Sequence, residues 1–206
     1  MKKTNNKGFS LVELIIVIAI MAILAGAIAP ALIRYIDKSR KSNDVTAAKS
    51  IKTAIETALG NESIYEFLTT GDDNYCYVYV TPGKSTATSD EGDSSSSATE
   101  QLDCITIKNA FDGEINGKSA EELTILADNE IGTNIGEKTP KLKYRKAAGK
   151  AGEPVEFVGV ISKKGTVYVF ISAASEGEMS VEPDETVGVK SDKGYQICPN
   201  VCDEYQ

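Results

Sequence analysis

The 206-residue chain contains no histidine and no tryptophan, and its cations fall short of its acids: 22 Lys and Arg stand against 30 Asp and Glu, a formal charge of −8. Each shortage excludes something. Without imidazole there is no Ser-His or Cys-His nucleophile pair, no HExxH zinc helix and no imidazole proton shuttle. No Gly-rich phosphate loop or paired-carboxylate signature takes their place, so neither an enzyme nor a bound cofactor or metal is expected. The acidic excess argues against nucleic acid as the main ligand, because such surfaces need clustered Lys and Arg. The aromatic share of 7% lends no particular support to electron conduction. The hydrophobic share of 41% is ordinary, but it is unevenly spread.

Most of the apolar content lies at the N-terminus. Residues 11–33, LVELIIVIAIMAILAGAIAPALI, are apolar at every position except Glu13, Gly26 and Pro30. A helix of that length spans roughly 35 Å, enough to cross a hydrocarbon core of about 30 Å with some tilt. The flank before it carries Lys2, Lys3 and Lys7 and no acid, whereas the flank after it, RYIDKSRKSND, is mixed. The positive-inside rule then keeps the N-terminus in the cytoplasm and exports the rest. A secretory signal peptide fits poorly. Its apolar region should run only about 7–15 residues, and the candidate cleavage site Ala27-Ile-Ala29 is followed at once by Pro30. A plain membrane anchor explains the length but not Glu13. A carboxylate inside such a segment costs about 2.5–3.5 kcal/mol and points to a function with a named partner.

The segment KGFSLVELIIVIAIMAIL supplies that partner. It closely resembles the processing site and N-terminal helix of type IV pilins and of the related pseudopilins and competence pilins. The resemblance implies that a prepilin peptidase on the cytoplasmic face cuts after Gly8, next to Lys7, and that the new N-terminal Phe9 is N-methylated. It also implies that Glu13 compensates the N-terminal cation of a neighbouring subunit during assembly. Physically, two isolated buried charges become one buried pair, which is far less costly. Loss of the leader, eight residues of 206, leaves 198; loss of its three lysines leaves 19 cations against 30 acids, a formal −11. Excluding Glu13, the part from Arg34 onward carries 19 cations against 29 acids.

Two residues weaken the apolar helix. Gly26 costs about 1 kcal/mol relative to Ala, and Pro30 removes the hydrogen bond to the carbonyl four residues back. The resemblance implies that the stretch between them loses helical hydrogen bonding in the filament. After Ile33 the period continues in polar company. Val45, Ala48, Ile51, Ile55 and Leu59 form a stripe with Lys49, Lys52 and Glu56 on the other side, and Gly60-Asn61 reads as the stop. Tyr35, at the end of the apolar run, reads as an interfacial aromatic.

The division expected is therefore a leader (1–8), a transmembrane and filament-core helix (9–33), its amphipathic half (34–60) and a globular head (61–206). In the head, residues 75–81, 102–107, 141–146, 154–162 and 166–172 read as strands, with Lys163-Lys-Gly165 as a tight hairpin turn. The apolar character of both faces of VYVFIS makes that strand central, and residues 195–198 add an edge. Ser119-Ala-Glu-Glu122 is a capping box opening a helix over roughly 120–129, with Leu123, Leu126 and Ala127 inward. Residues 83–100 are Ser/Thr-rich and read as an exposed loop, where O-linked glycan or phosphate on Ser94 to Ser97 is the functional alternative to simple solvation. Asn61-Glu-Ser63 matches a glycosylation sequon on three residues only. A helix laid across an antiparallel meander is an α+β head, as the resemblance also implies.

Four cysteines in an exported head suggest two disulfides, with three connectivities open. Cys76–Cys104, closing the base of the Ser-rich loop, and Cys198–Cys202, closing a loop around Pro199, are favoured. The rival ties the C-terminal pair back to Cys76 and Cys104, and the resemblance leans slightly that way. Asp72-Asp73 and Asp90-Glu-Gly-Asp93 lack the EF-hand spacing. Glu182, Asp184, Glu185, Asp192 and Asp203 are late acids that no spacing singles out for calcium. The leading expectation is a structural subunit of a type IV pilus, used for adhesion, motility or DNA uptake. Its partners are copies of itself, the prepilin peptidase and assembly machinery, and the cytoplasmic membrane before export to the cell surface. The alternatives are a pseudopilin of a type II secretion or competence system, and a membrane-anchored binding module.

Overall fold

The computed structural model describes residues 9–71, 73–86, 102, 104–146, 151–173, 179–184 and 188–206. The Ser94 to Ser97 run, Asp72, the acids at 90–93, Glu185 and Gly8 lie outside these, as does all of the Ser-rich stretch beyond Thr86. Two units are described separately, Met1–Ser39 and Arg40–Gln206.

One helix, α1 (Leu11–Ala58), runs for 48 residues. It passes through Pro30 without a break. The carbonyl that Pro30 leaves without its helical donor is that of Gly26, four residues back. The two weak points are thus one missing hydrogen bond. In the second unit α1 buries Asp44, Ala48, Ile51, Ala54, Ile55 and Ala58; of the predicted stripe Ala48, Ile51 and Ile55 are buried, whereas Val45 and Leu59 are half-buried against the core. Asn61 then caps a short helix, α2 (Glu62–Thr69), through a hydrogen bond from the Ser63 N–H at 3.1 Å. The helix stop is thus also a helix start, and the sequon asparagine is its cap.

Five antiparallel strands form the sheet of the head. In chain order β1 is Tyr75–Val80 and β2 is Ile105–Lys108. A small hairpin, β3 (Glu114–Ile115) and β4 (Lys118–Ser119), leads into α3 (Ala120–Ile135). Then come β5 (Glu156–Ser162), β6 (Val167–Ser172), the hairpin β7 (Glu182–Asp184) and β8 (Gly188–Lys190), and β9 (Gly194–Cys198). The sheet order is β2-β1-β5-β6-β9. β6 is therefore interior and β9 an edge, as the residue patterns predict. Asn116 and Gly117, at φ 54° and 75°, form the two-residue Asn-Gly turn that matches strand twist.

The larger core lies between α1, α2, α3 and one face of the sheet, around Ile51, Ile55, Val78, Phe157, Ile161, Val169 and Ile197. The other face carries a smaller cluster, Tyr79, Val158, Val160, Phe170, Met179 and Val189, which accounts for the doubly apolar pattern of β6. Gly159, in the middle of β5, sits under Ile55 of α1: a Cβ there would overlap Ile55 Cδ1. Overpacking a well-filled core costs about 1–3 kcal/mol. Gly159→Val should accordingly lower the melting point of the detergent-solubilised chain by about 3–10 °C in circular dichroism. An unchanged midpoint would show that α1 does not seat there.

Two expectations need correction. The capping box forms, with Ser119 N–H on Glu122 at 2.9 Å and Glu122 N–H on Ser119 at 3.3 Å, but α3 continues six residues beyond 129. Ile131 carries the apolar stripe onward, and Gly132 fits against Leu102. Residues 141–146 join no sheet. Their backbone is claimed by a side chain instead. Asp44, fully buried, accepts the Lys143 N–H at 2.8 Å and the Tyr144 N–H at 2.7 Å.

Candidate functional site

The assembly helix begins with a local hydrogen bond. The Ser10 N–H donates to Glu13 Oε2 at 2.8 Å, and the Leu14 N–H donates to the Ser10 carbonyl at 3.2 Å. Ser10-Leu-Val-Glu13 has the S-x-x-E spacing of a capping box, and its acidic half is formed. Within its own chain Glu13 therefore caps its own helix, a role its position in an apolar run does not reveal but that spacing does. The carboxylate also sits in the first turn, where the helix dipole favours a negative charge.

Phe9 precedes this turn and is 83% exposed. Leu11, Val12, Leu14 to Ile18, Ile20, Met21, Ile23, Leu24, Ile28, Leu32 and Ile33 are all exposed in the single chain. The most apolar 18-residue window has a mean hydropathy of 2.9, and none of it is buried. An apolar surface this large requires cover from hydrocarbon or from other protein. Gly26 has open space around its missing Cβ. Tyr35 is exposed where the apolar run ends. Among the described residues, the side chains of this stretch form one continuous apolar surface.

The four cysteines are thiols. The sheet register pairs Tyr77 with Lys108 and Val80 with Ile105, and the Thr81 N–H donates to the Cys104 carbonyl at 2.9 Å. Cys76 and Cys104 therefore lie at opposite ends of β1, about 17 Å apart at 3.4 Å per residue. A disulfide needs Cα atoms within about 7 Å, so this register does not accommodate the favoured Cys76–Cys104 pair. The rival fares no better, since β9 is three strands from β1, about 14 Å. Sequence reasoning placed Cys104 at the base of a loop, but pairing across a sheet depends on register. Burial pushes the Cys76 thiol up to about 12. Cys202 is pushed up to about 11, first by burial and then by Glu204. Cys198 is raised by burial and drawn back by Lys52 and Lys49.

Among the described residues, no group of three or more Cys, Asp and Glu lies together as a metal site. Of the late acids, Asp184 meets Lys190 at 3.8 Å.

An exposed apolar helix of membrane-spanning length, capped by a single carboxylate, and an α+β head are the parts of a structural subunit that fits membrane anchoring. Residues 3–29 match the prokaryotic N-terminal methylation motif. The chain is 32% identical over 116 residues to a type IV major fimbrial protein FimA of Dichelobacter nodosus, covering 41% of this chain and 72% of that protein. It is 33% identical over 139 residues to the type IV major alpha-pilin of Moraxella bovis, covering 66% of this chain and 72% of the relative. Fimbrial protein Q of Moraxella bovis is 49% identical over 54 residues, 26% of this chain and 34% of that one. No solved structure matches significantly. The chain belongs to the type IV pilin family.

Proposed function

We propose that this chain is the structural subunit of a surface-displayed type IV pilus and that its chemistry is self-assembly. The observation that carries this reading is the helix from Leu11, apolar and wholly exposed in the single chain, with one carboxylate at its start. The printed names of the relatives, major fimbrial protein and major alpha-pilin, support a filament subunit. In this reading residues 1–8 are a leader removed by a prepilin peptidase on the cytoplasmic side. Residues 9–33 lie in the cytoplasmic membrane and then in the filament core, residues 34–60 continue into the head, and residues 61–206 are the head.

Cleavage after Gly8 creates a cation at Phe9, which is then methylated. Glu13, held in the first turn beside it, offers the counter-charge to a neighbouring Phe9. Between Gly26 and Pro30 the helix gives way in the filament, because one hydrogen bond is already missing. A filament map with regular helical hydrogen bonding through Ile28 would sink that idea. Mass spectrometry of sheared filaments provides the main test. The expected subunit has 198 residues and starts at methylated Phe9; retention of Met1 to Gly8, with no polymer, would instead identify a membrane-anchored binding module. Long surface fibres in electron micrographs separate a displayed pilus from a short pseudopilus. On the exported side Cys198–Cys202 closes the C-terminal loop while Cys76 and Cys104 stay reduced. Non-reducing peptide mapping should therefore find a linked 198/202 peptide and alkylatable Cys76 and Cys104 after denaturation, and a Cys76–Cys104 link would contradict the register.

A further inference from the structure

The head is acidic, yet one stretch of it is not. Between Glu137 and Glu153 there is no acidic residue, and six cations occur: Lys138, Lys141, Lys143, Arg145, Lys146 and Lys150. The first five are exposed, while Thr139 and Leu142 between them are buried and Tyr144 is half-buried. This one-sidedness is built by separate anchors. The Thr139 hydroxyl donates to the Thr81 carbonyl at 2.6 Å and accepts the Lys84 N–H at 2.9 Å. Leu142 sits in the core. Asp44 holds the Lys143 and Tyr144 N–H groups, and the Tyr144 ring packs edge-on to Tyr205 with Lys41 5.3 Å from its centroid. The result is a fixed ridge with its backbone fastened inward and its charges outward.

We infer that this ridge is a contact surface for the acidic head of a second copy of this chain. The inference rests on the pilus reading. From Arg34 onward the chain has 19 cations against 29 acids, so packed copies repel unless cations of one meet acids of the next. Screening confines such effects to about 8 Å at physiological salt, which places the compensation at subunit contacts. Nucleic acid would meet the same cations but also the surrounding acids, which repel it.

The test uses intact filaments in which Lys141, or in a second preparation Arg145, is replaced by a benzophenone-bearing residue. Irradiation is expected to give covalent dimers of this chain linked at an Asp/Glu-rich head peptide. Cross-links that stay within one chain, fall on neutral peptides, or run to lipid or nucleic acid overturn the inference. A paired measurement reverses charge at Lys138 and Lys141, which leaves the cations beside Asp44 in place. Lys138→Glu/Lys141→Glu should reduce sheared filaments at least tenfold at an unchanged head melting point, while Lys138→Arg/Lys141→Arg keeps the wild-type yield. An undiminished yield from the reversed variant overturns the surface. Absence of filaments from the unaltered chain is a different failure, that of the pilus reading itself.

Discussion

Glu13→Ala is expected to leave the chain inserted in the membrane while lowering the yield of sheared filaments by about 100-fold or more. Removing one partner of a buried charge pair costs about 3–5 kcal/mol, because the other charge stays buried and uncompensated. At 1.4 kcal/mol per factor of ten, that is about two to three and a half orders of magnitude in the equilibrium for adding a subunit. Under the proposed processing after Gly8, the cation left behind is the Phe9 amine, among side chains that are all apolar from Leu14 to Leu24. The structure adds a complication, since Glu13 also accepts the Ser10 N–H at 2.8 Å. Loss of a cap costs only about 0.5–2 kcal/mol. Glu13→Gln separates the two roles: its amide oxygen can still accept from Ser10, but it carries no charge. Filament counts by electron microscopy should be as low for Gln as for Ala. Wild-type counts with Gln would assign Glu13 to helix capping alone.

Asp44→Ala should lower the melting point of the head by about 5–15 °C. Truncation removes the acceptor of two backbone N–H groups, and each donor left unsatisfied costs about 1–3 kcal/mol. In a domain of this size each kcal/mol moves the midpoint by about 2–4 °C. The segment from Thr139 to Lys146 then keeps Thr139, Leu142 and the Tyr144–Tyr205 contact but loses its backbone anchor on α1, so its amides should exchange hydrogen faster as well. The pH dependence has a definite sign. Burial raises the Asp44 carboxyl above its ordinary value; the Lys143 and Tyr144 N–H groups and the Lys143 and Arg145 charges pull it back only in part. The native state thus holds this proton more tightly than the unfolded chain does, where the carboxyl titrates near 3.9. The resulting contribution to stability is fully present below about pH 3.9, is lost as pH rises through the raised native value, and is flat above it. Denaturant midpoints of wild type relative to Asp44→Asn should fall across that window. Parallel midpoints at every pH would rule out the assignment.

Much of this molecule is readable along the chain, and the parts that are not share a cause. The amphipathic half of α1, the capping box at Ser119, the interior position of β6 and the Lys163-Lys-Gly165 turn depend on residues a few positions apart. Asp44 shows where that ends. It lies on the buried stripe, four residues before Ala48, so an acid out of place was visible; its partners, 99 and 100 residues away, were not. Residues 141–146 alternate like a strand because Leu142 is buried and Tyr144 half-buried between exposed cations, yet they are held by a helix and by side-chain anchors. The Asn116-Gly117 turn and the S-x-x-E spacing at Ser10 carried local signals that point to a hairpin and a cap.

The sequence by itself determined the membrane-length apolar run, its single carboxylate, the Lys7-Gly8-Phe9 order before it and the acidic head. These are matters of composition and order, and no folding is needed to establish them. Tertiary structure alone decided that Cys76 and Cys104 lie out of each other's reach, because disulfide geometry depends on strand register and sheet order. It also decided that five cations, Lys138, Lys141, Lys143, Arg145 and Lys146, form a ridge rather than scattered surface charges. That required Asp44, Thr139 and Leu142 to hold the segment from three directions, and those contacts exist only once the chain has closed on itself.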